Sequence, residues 1–386
     1  MPIALEALAA EMTAWRRDLH ARPEFGFEVA RTAGFVAARL RELGLDEVVE
    51  GVGGAGVVGV LSRGSGQQSI GLRADMDALR IHEKSAHAHR STSEGLMHAC
   101  GHDGHTAMLL GAATILAEEG GFDGRVVFIF QPAEEWGRGA LAMLDDGLLT
   151  RFPVDEIYGL HNWPGLEVGR FATTAGPLMA AEDNFEIVLR GQGGHASKPQ
   201  AMQEVMVAAC AVVMALQTIV SRRLDPTDAA VVSATEILTD GARNVLPGEA
   251  QILGDVRSFR PEVSALVEKE MRRIAEGVAA GYGCRAKVDY TREFIPLINH
   301  PEQTLAALEA AAAVFGADRV SGDQAPITAS EDFAQFLRHV PGCFAFIGNG
   351  EASAPLHNSE YDFDDRSLPF GAGYFAEIAR RRLAAG

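Results

Sequence analysis

The chain has 386 residues, 47% of them hydrophobic, which supports a large core and favours two domains over one. A formal net charge of −18 excludes the basic face that a nucleic-acid partner requires. Four cysteines with no Cys-x-x-Cys spacing argue against a disulfide framework and for a reducing, cytoplasmic setting; the absence of an unbroken apolar run of about 18 residues argues against a membrane span.

The opening "MPIALEALAAEMTAWRRDLHARPE" has acids inside its apolar part and predicts an amphipathic helix rather than a signal peptide. Helix-like and strand-like segments then alternate to about residue 180, the pattern of an α/β domain with a mainly parallel sheet. "SIGLRAD", "RVVFIFQP" and "EIYGLHN" are short apolar runs that predict strands, and "CFAFIGNG" near the end predicts another. Between the first two lies "MHACGHDGHT", Met97 to Thr106. Cys100 and His102 are two apart, which on a helix would separate them by about 200°, so their convergence on one ion requires non-helical backbone. From Asp103, taken as the N-cap, "GHTAMLLGAATILAEEG" has helical spacing and ends at Gly120 and Gly121.

The middle of the chain changes character. "NFEIVLRG", "EVMVAACAVVMALQTIVSRR", "DAAVVSATEIL", "EAQILGDVRSF", "PEVSALVEKEMRRIAEGVAAGYG" and "CRAKVDYTREF" predict the order β-α-β-β-α-β, the split βαβ arrangement of ferredoxin-like domains. The expectation is an inserted lid and dimerisation domain over 182–295, with 1–181 and 296–386 forming a discontinuous metal-binding catalytic domain. After the insertion, "EQTLAALEAAAAVFGA" predicts a helix, and "ASEDFAQFLRHV" with "CFAFIG" is expected to complete the first sheet.

In open α/β sheets ligands bind beyond the carboxyl ends of the strands. Metal-capable residues collect there: Asp75 and Asp77 after "SIGLRA", Glu134 and Glu135 after "RVVFIFQPA", His161 after "EIYGL", and His357 beyond the last run. Cys100, His102, Glu135, His161 and His357 form a donor set suited to Zn- or Mn-class ions. Five donors exceed the need of one tetrahedral ion, so two ions sharing the Cys100 thiolate are expected. Each residue taken singly is explained as well by ordinary structural packing; four segments converging are not. Adjacent residues on an extended segment point to opposite sides, so Glu135 is assigned as ligand and Glu134 as the general base that moves the proton of a water.

"LRADMDAL", "MHACGHDGHTAMLLGAA", "VVFIFQPAEE", "GLHNWPGLEVG", "GPLMAAEDNFEI", "GQGGHAS", "ARNVLPGEAQILGDVRSF", "SEDF" and "LHNSEYDF" together resemble the M20 metallopeptidase family, in its aminoacylase, hippurate hydrolase and indoleacetyl-amino-acid hydrolase branch. The resemblance spans nearly the whole chain. It implies a two-metal catalytic domain with a lid that dimerises, the same five ligands, and Glu134 as base. It also implies that His195 stabilises the oxyanion in a neighbouring subunit's site and that Asn244 holds the substrate, where spacing alone reads both as turn residues. By the same resemblance Asp75 and Asp77 orient a ligand histidine without binding metal. Gln200, the pair Glu204 and Val205, Arg80 and Ser359 depart from the family pattern without touching a ligand position.

The expected activity is metal-dependent hydrolysis of an N-acyl or N-aroyl amino acid to a carboxylic acid and a free amino acid, with two divalent ions per subunit (Zn, Mn, Co or Ni). A homodimer formed through the insertion and a small-molecule substrate go with it. The alternatives are a dipeptidase, an N-acetyl-diaminopimelate-type deacetylase, or a catalytically silent metal-binding dimer. Trp163, Leu178, Met179 and Phe333 lie near motif positions, but core packing explains each better than an acyl pocket does.

Overall fold

The computed structural model describes residues 5–384, which divide into two compact units. Of these residues the first comprises 5–178, Ile298–Ala325 and 332–384, the second Met179–Leu297 and Pro326–Glu331.

The first unit is built on an eight-stranded sheet in the order Glu47–Val52, Gly56–Arg63, Gly124–Gln131, Ser69–Asp75, Glu156–Trp163, Gly342–Gly348, Phe171–Ala172, Val320–Ser321. The four strands from Gly124–Gln131 to Gly342–Gly348 are mutually parallel, so their carboxyl ends share one edge. They are almost wholly buried, which explains why they read as continuous apolar runs. The two antiparallel strands at the edge, Glu47–Val52 and Gly56–Arg63, were not picked out by that criterion. Gly59 interrupts the second: a Cβ there would come within 2.8 Å of Leu45 and 2.9 Å of Leu40, so the close approach of these leucines requires glycine.

Helix His102–Glu119 packs between Leu5–His20 and Leu368–Arg382 and is buried along most of its length, with Met108, Leu109, Ala112 and Leu116 inside the core. At about 2 kcal/mol for each fully buried large apolar side chain, this helix is among the best-anchored elements of the unit. It starts two residues earlier than the sequence suggests. The cap position is Gly101, in the left-handed region at φ 94°, and Asp103 caps nothing; its carboxylate is held by His20 Nδ1 at 2.8 Å. "ASEDFAQFLRHV" also differs from expectation: it adds no strand but forms the short helix Ala334–Leu337, with Asp332 buried just before it.

The second unit is a four-stranded antiparallel sheet in the order Ala230–Thr239, Glu249–Ser258, Ala181–Arg190, Arg285–Phe294. Burial alternates along Ala181–Arg190 and Glu249–Ser258, as expected of strands with one face on a core. Phe185, Ile187, Leu189, Ala250, Ile252 and Val256 pack beneath Val205–Thr218 and Pro261–Gly281. The segment Pro326–Glu331 groups with this unit rather than with its sequence neighbours, because the Ala180 amide donates to the carbonyls of Ile327 and Ala329 at 3.1 and 2.9 Å.

The run Val205–Arg223 is long and apolar enough to cross a membrane by length and composition, which the search for an unbroken apolar run passed over. Here Val205, Ala208, Ala209, Val212 and Leu216 cover the sheet as the core helix of an α/β layer. Its opposite face leaves Met206, Val207, Met214 and Val220 exposed.

Candidate metal centre

Every donor proposed from strand ends lies in the first unit. Asp75 closes Ser69–Asp75, the acid pair follows Gly124–Gln131, His161 sits within Glu156–Trp163, and His357 follows Gly342–Gly348. Parallel pairing of these strands delivers the donors to one edge of the sheet.

Cys100 and His102 converge through the left-handed turn at Gly101. Any Cβ at this position would meet Asn162 Nδ2 at 2.1 Å and Tyr361 Oη at 2.7 Å. Those two groups are fixed in turn: Asn162 Nδ2 donates to the Cys100 carbonyl at 2.6 Å, and Tyr361 Oη donates to Asn162 Oδ1 at 2.5 Å. Left-handed backbone recurs where it can aim a ligand. Ala133 (φ 51°) and His357 (φ 63°) are the non-glycine residues with positive φ among those described, and both flank the site. Strain of about 1–3 kcal/mol at each persists because the surroundings hold it.

The acid pair is not extended, as the sequence argument assumed. Ala133 turns the chain into a short 3₁₀ turn, Glu134–Trp136, whose first two amides donate to Asp77 Oδ1 at 3.0 Å and Oδ2 at 3.3 Å. Both carboxylates therefore approach the same imidazole: Glu134 Oε2 and Glu135 Oε1 each lie 3.9 Å from His102 Nε2. Glu135 Oε2 also lies 3.4 Å from His357 Nε2, and Cys100 Sγ 3.3 Å from His161 Nε2. The donors form overlapping triads, Cys100 with His102 and His161, Cys100 with Glu135 and His357, and His102 with Glu134 and Glu135, each with its donor atoms within 4.8 Å of one another.

The electrostatics call for a cation. Asp75, Asp77, Glu134 and His102 are buried together, and neither ring nitrogen of His102 nor Oε1 of Glu135 has a hydrogen-bond partner. Burial disfavours a charged imidazole, yet Asp75, Asp77 and Glu135 together push His102 up to about 10. Burial and the carboxylates of Glu135 and Glu134 hold the Cys100 thiol well above its ordinary range, so a thiolate there needs positive charge beside it. Burial and neighbouring His105 hold His161 well below the usual histidine value. Its Nδ1 is 2.6 Å from the Asn162 carbonyl, which leaves a neutral Nε2 lone pair facing Cys100. These orphaned nitrogens, this surplus of carboxylate and this soft sulfur fit divalent transition ions.

The two aspartates of "RADMD" have different partners. Its Oδ1 takes His105 Nδ1 at 2.6 Å, whereas the carboxylate facing His102 Nδ1, at 3.5 Å, is that of Asp77. Asp75 and Asp77 lie two residues apart, and only the latter sits beyond the strand end, close to the acid-pair turn. Asp75 instead belongs to a buried chain: Asp332 and Gln131 hold Arg73, Arg73 Nη1 donates to Asp75 Oδ2 at 2.8 Å, and His105 Nε2 accepts from the Asn162 amide at 3.0 Å. The sequence argument gave no role to Arg73, His105, Asn162 or Tyr361. His105 lies three residues beyond His102, a spacing that places both on one helix face and could have signalled it.

His195 and Asn244 belong to the second unit, on a two-stranded ribbon in which Gly194–His195 pairs with Val245–Leu246. Both are exposed, and the Ala196 amide donates to the Asn244 carbonyl at 3.1 Å. The Ser197 amide donates to His195 Nδ1 at 3.1 Å, so Nε2 is the free donor. Of the four possible pocket residues, Leu178, Met179 and Phe333 are core and Trp163 is half-buried.

Residues 71–381 match the model of Peptidase family M20/M25/M40. A hippurate hydrolase of Campylobacter jejuni is 39% identical over 376 residues, which cover 97% of each chain. An N-acetylcysteine deacetylase of Bacillus subtilis is 37% identical, with 98% of each chain covered. Among solved structures, a dinuclear metal-binding M20 peptidase of Bacillus subtilis superposes with a TM-score of 0.86 at 34% identity, covering 98% of this chain and 99% of that one.

Proposed function

We propose that this chain, which belongs to peptidase family M20/M25/M40, is a metal-dependent amidohydrolase that converts N-acyl or N-aroyl amino acids to a carboxylic acid and a free amino acid. The observation that carries the reading is the double membership of Cys100, in one triad with His102 and His161 and in another with Glu135 and His357. A ligand shared between two ions needs that placement. Cys100, His102, Glu135, His161 and His357 would hold two divalent ions of the Zn, Mn, Co or Ni class.

Bound there, the ions supply Lewis acidity toward the amide carbonyl and acidify water. Glu134 takes the proton from the attacking water on its carboxylate and returns it to the departing amide nitrogen, so that the C–N bond breaks with a neutral amine leaving. His195 of a neighbouring subunit would offer Nε2–H to the oxyanion, and Asn244 would offer its amide to the amino-acid carboxylate. Asp77 keeps the Glu134–Glu135 turn and His102 in register, while Asp75 works at one remove through His105.

The dimer is proposed through the second unit. Met206, Val207, Met214 and Val220 on the helix and Val231, Ile237 and Leu238 on the edge strand Ala230–Thr239 form exposed apolar surface beside unpaired strand backbone. Ile237→Lys is expected to yield monomers in light scattering; an unchanged dimer moves the interface elsewhere.

The deciding experiment is a hydrolysis screen of metal-loaded protein against N-benzoyl, N-acetyl and indoleacetyl amino acids and a set of dipeptides, with Glu134→Gln as blank. Release of free amino acid from the acyl substrates alone supports the proposal. Cleavage of dipeptides alone transfers it to a dipeptidase, and no cleavage by protein with both ions bound rejects turnover.

A further inference from the structure

A second group of metal-capable side chains lies outside the proposed centre, on the loop ahead of Cys100. His87 and His89 alternate around Ala88 in "SAHAHRS", and Asp362 reaches them from the segment that follows His357. Asp362 Oδ2 lies 3.7 Å from His87 Nε2 and 3.2 Å from His89 Nε2. The two imidazole planes are 8° from parallel with centroids 5.2 Å apart, and both Nε2 atoms sit beside the same carboxylate.

The layer beneath is built to hold this arrangement. Arg16, fully buried, donates from Nη1 to Asp362 Oδ1 at 2.8 Å and from Nε to Asp365 Oδ1 at 2.7 Å, which fixes Asp362, whose Oδ1 is also 3.1 Å from His89 Nε2 while Oδ2 faces both histidines. Asp103 lies 3.7 Å from the same guanidinium, so the Arg16 charge is shared among three carboxylates and does not face the imidazoles alone. His89 packs edge-on against the buried His20 ring at 5.4 Å. Burial and Arg16 both lower its basicity, which favours the neutral form that can donate a lone pair. His87 is exposed, so the site opens to solvent on one side.

We infer that His87, His89 and Asp362 form a separate surface site for one divalent transition ion of the zinc class, with water completing the shell. Two imidazoles and one carboxylate oxygen match the ligand preferences of Zn²⁺ at bond lengths of about 2.0–2.2 Å, and a modest rotation of the exposed His87 ring closes the remaining distance. An ion there would tie the loop leading to Cys100 to the segment carrying His357 and Tyr361, which already meet through the Lys84 amide and the Ser359 carbonyl at 2.8 Å. This site is independent of the hydrolytic reading, because none of its ligands belongs to the proposed centre.

The test is equilibrium dialysis of the full-length protein against Zn²⁺, with bound metal counted per chain. His87→Ala and His89→Ala are each expected to bind one zinc equivalent fewer than the wild type and to keep the wild-type hydrolysis rate. Cys100→Ala is expected to keep the equivalent that these two lose. A wild-type count in both histidine variants overturns the inference, as does loss of the same equivalent in Cys100→Ala. Failure of all hydrolysis would leave the zinc count standing, so the two readings fail separately.

Discussion

The cluster around His102 and the ribbon carrying His195 place similar side chains in opposite settings. In the first unit His102, Glu134, Asp75 and Asp77 are buried together, the two aspartates bonded to other buried groups and the His102 ring nitrogens unbonded; in the second, His195 and Asn244 are exposed on or beside two short paired strands. A buried group is tied to the stability of its unit, whereas an exposed one is free to be tuned for chemistry alone. The comparison therefore predicts which substitutions change activity, which change folding, and which change both.

Glu134→Gln should give the largest effect on rate. The amide preserves the size of the side chain and leaves the turn held by Asp77 intact, but it cannot accept a proton. Turnover is expected to fall by roughly 10²–10⁴-fold with both ions still bound. Near wild-type turnover with full metal content would falsify the general-base assignment.

Arg73→Met sharpens the buried side of the comparison. Arg73 is fully buried and donates to Asp75, Asp332 and Gln131, so its removal takes a neutralising charge from two buried carboxylates, which keep His105, Gln131 and the Ala140 amide as hydrogen-bond partners. Breaking a buried ion pair by deleting one partner costs about 3–5 kcal/mol. Denaturant unfolding should report that loss. A change below about 1 kcal/mol would mean that Asp75 and Asp332 find other partners at little cost.

These two substitutions also mark how far the sequence could be read. That Glu134 and the proposed ligands would cluster was legible because apolar strands end abruptly at metal-capable residues and because parallel strands bring such ends to one edge. Arg73 was illegible for the opposite reason: it sits inside "SIGLRAD", where an arginine interrupts an apolar run, and its partner Asp332 is 259 residues away. Local geometry was lost in the same way. That Ala133 and His357 adopt left-handed backbone, and that Gly101 rather than Asp103 stands at the helix start, depends on contacts with Asn162, Tyr361 and Asp77 that no local pattern encodes. The strand Gly56–Arg63, second from the edge, was hidden by a glycine against which Leu40 and Leu45 pack closely. Alternation and loop composition, by contrast, were enough to order the six elements of the second unit, since its sheet has one covered face.

His195→Ala moves the test to the ribbon. Loss of one donor to a developing oxyanion typically lowers turnover by about 10²–10³-fold. Because the side chain is exposed and its ring is held only by neighbouring Ser197, unfolding free energy should stay within about 0.5 kcal/mol of wild type, and metal content should not change. Loss of metal in this variant would place His195 among the ligands and break the division drawn between the two regions.

Asn244→Ala should have the smallest effect and divides binding from chemistry. Its carbonyl accepts from the Ala196 amide, a backbone contact that alanine retains, so the ribbon that presents His195 should persist. Under the proposed role, what disappears is one neutral donor to the substrate carboxylate, a hydrogen bond to a charged group worth about 1.5–3 kcal/mol. That interaction is made equally in the ground and transition states, because the carboxylate takes no part in bond breaking, so KM should rise roughly tenfold to a hundredfold while kcat changes little. An N-acyl amine lacking the carboxylate should then be hydrolysed equally by wild type and variant. If kcat falls instead and KM holds, Asn244 acts on the reacting amide alongside His195, and the ribbon is wholly catalytic rather than shared between catalysis and recognition.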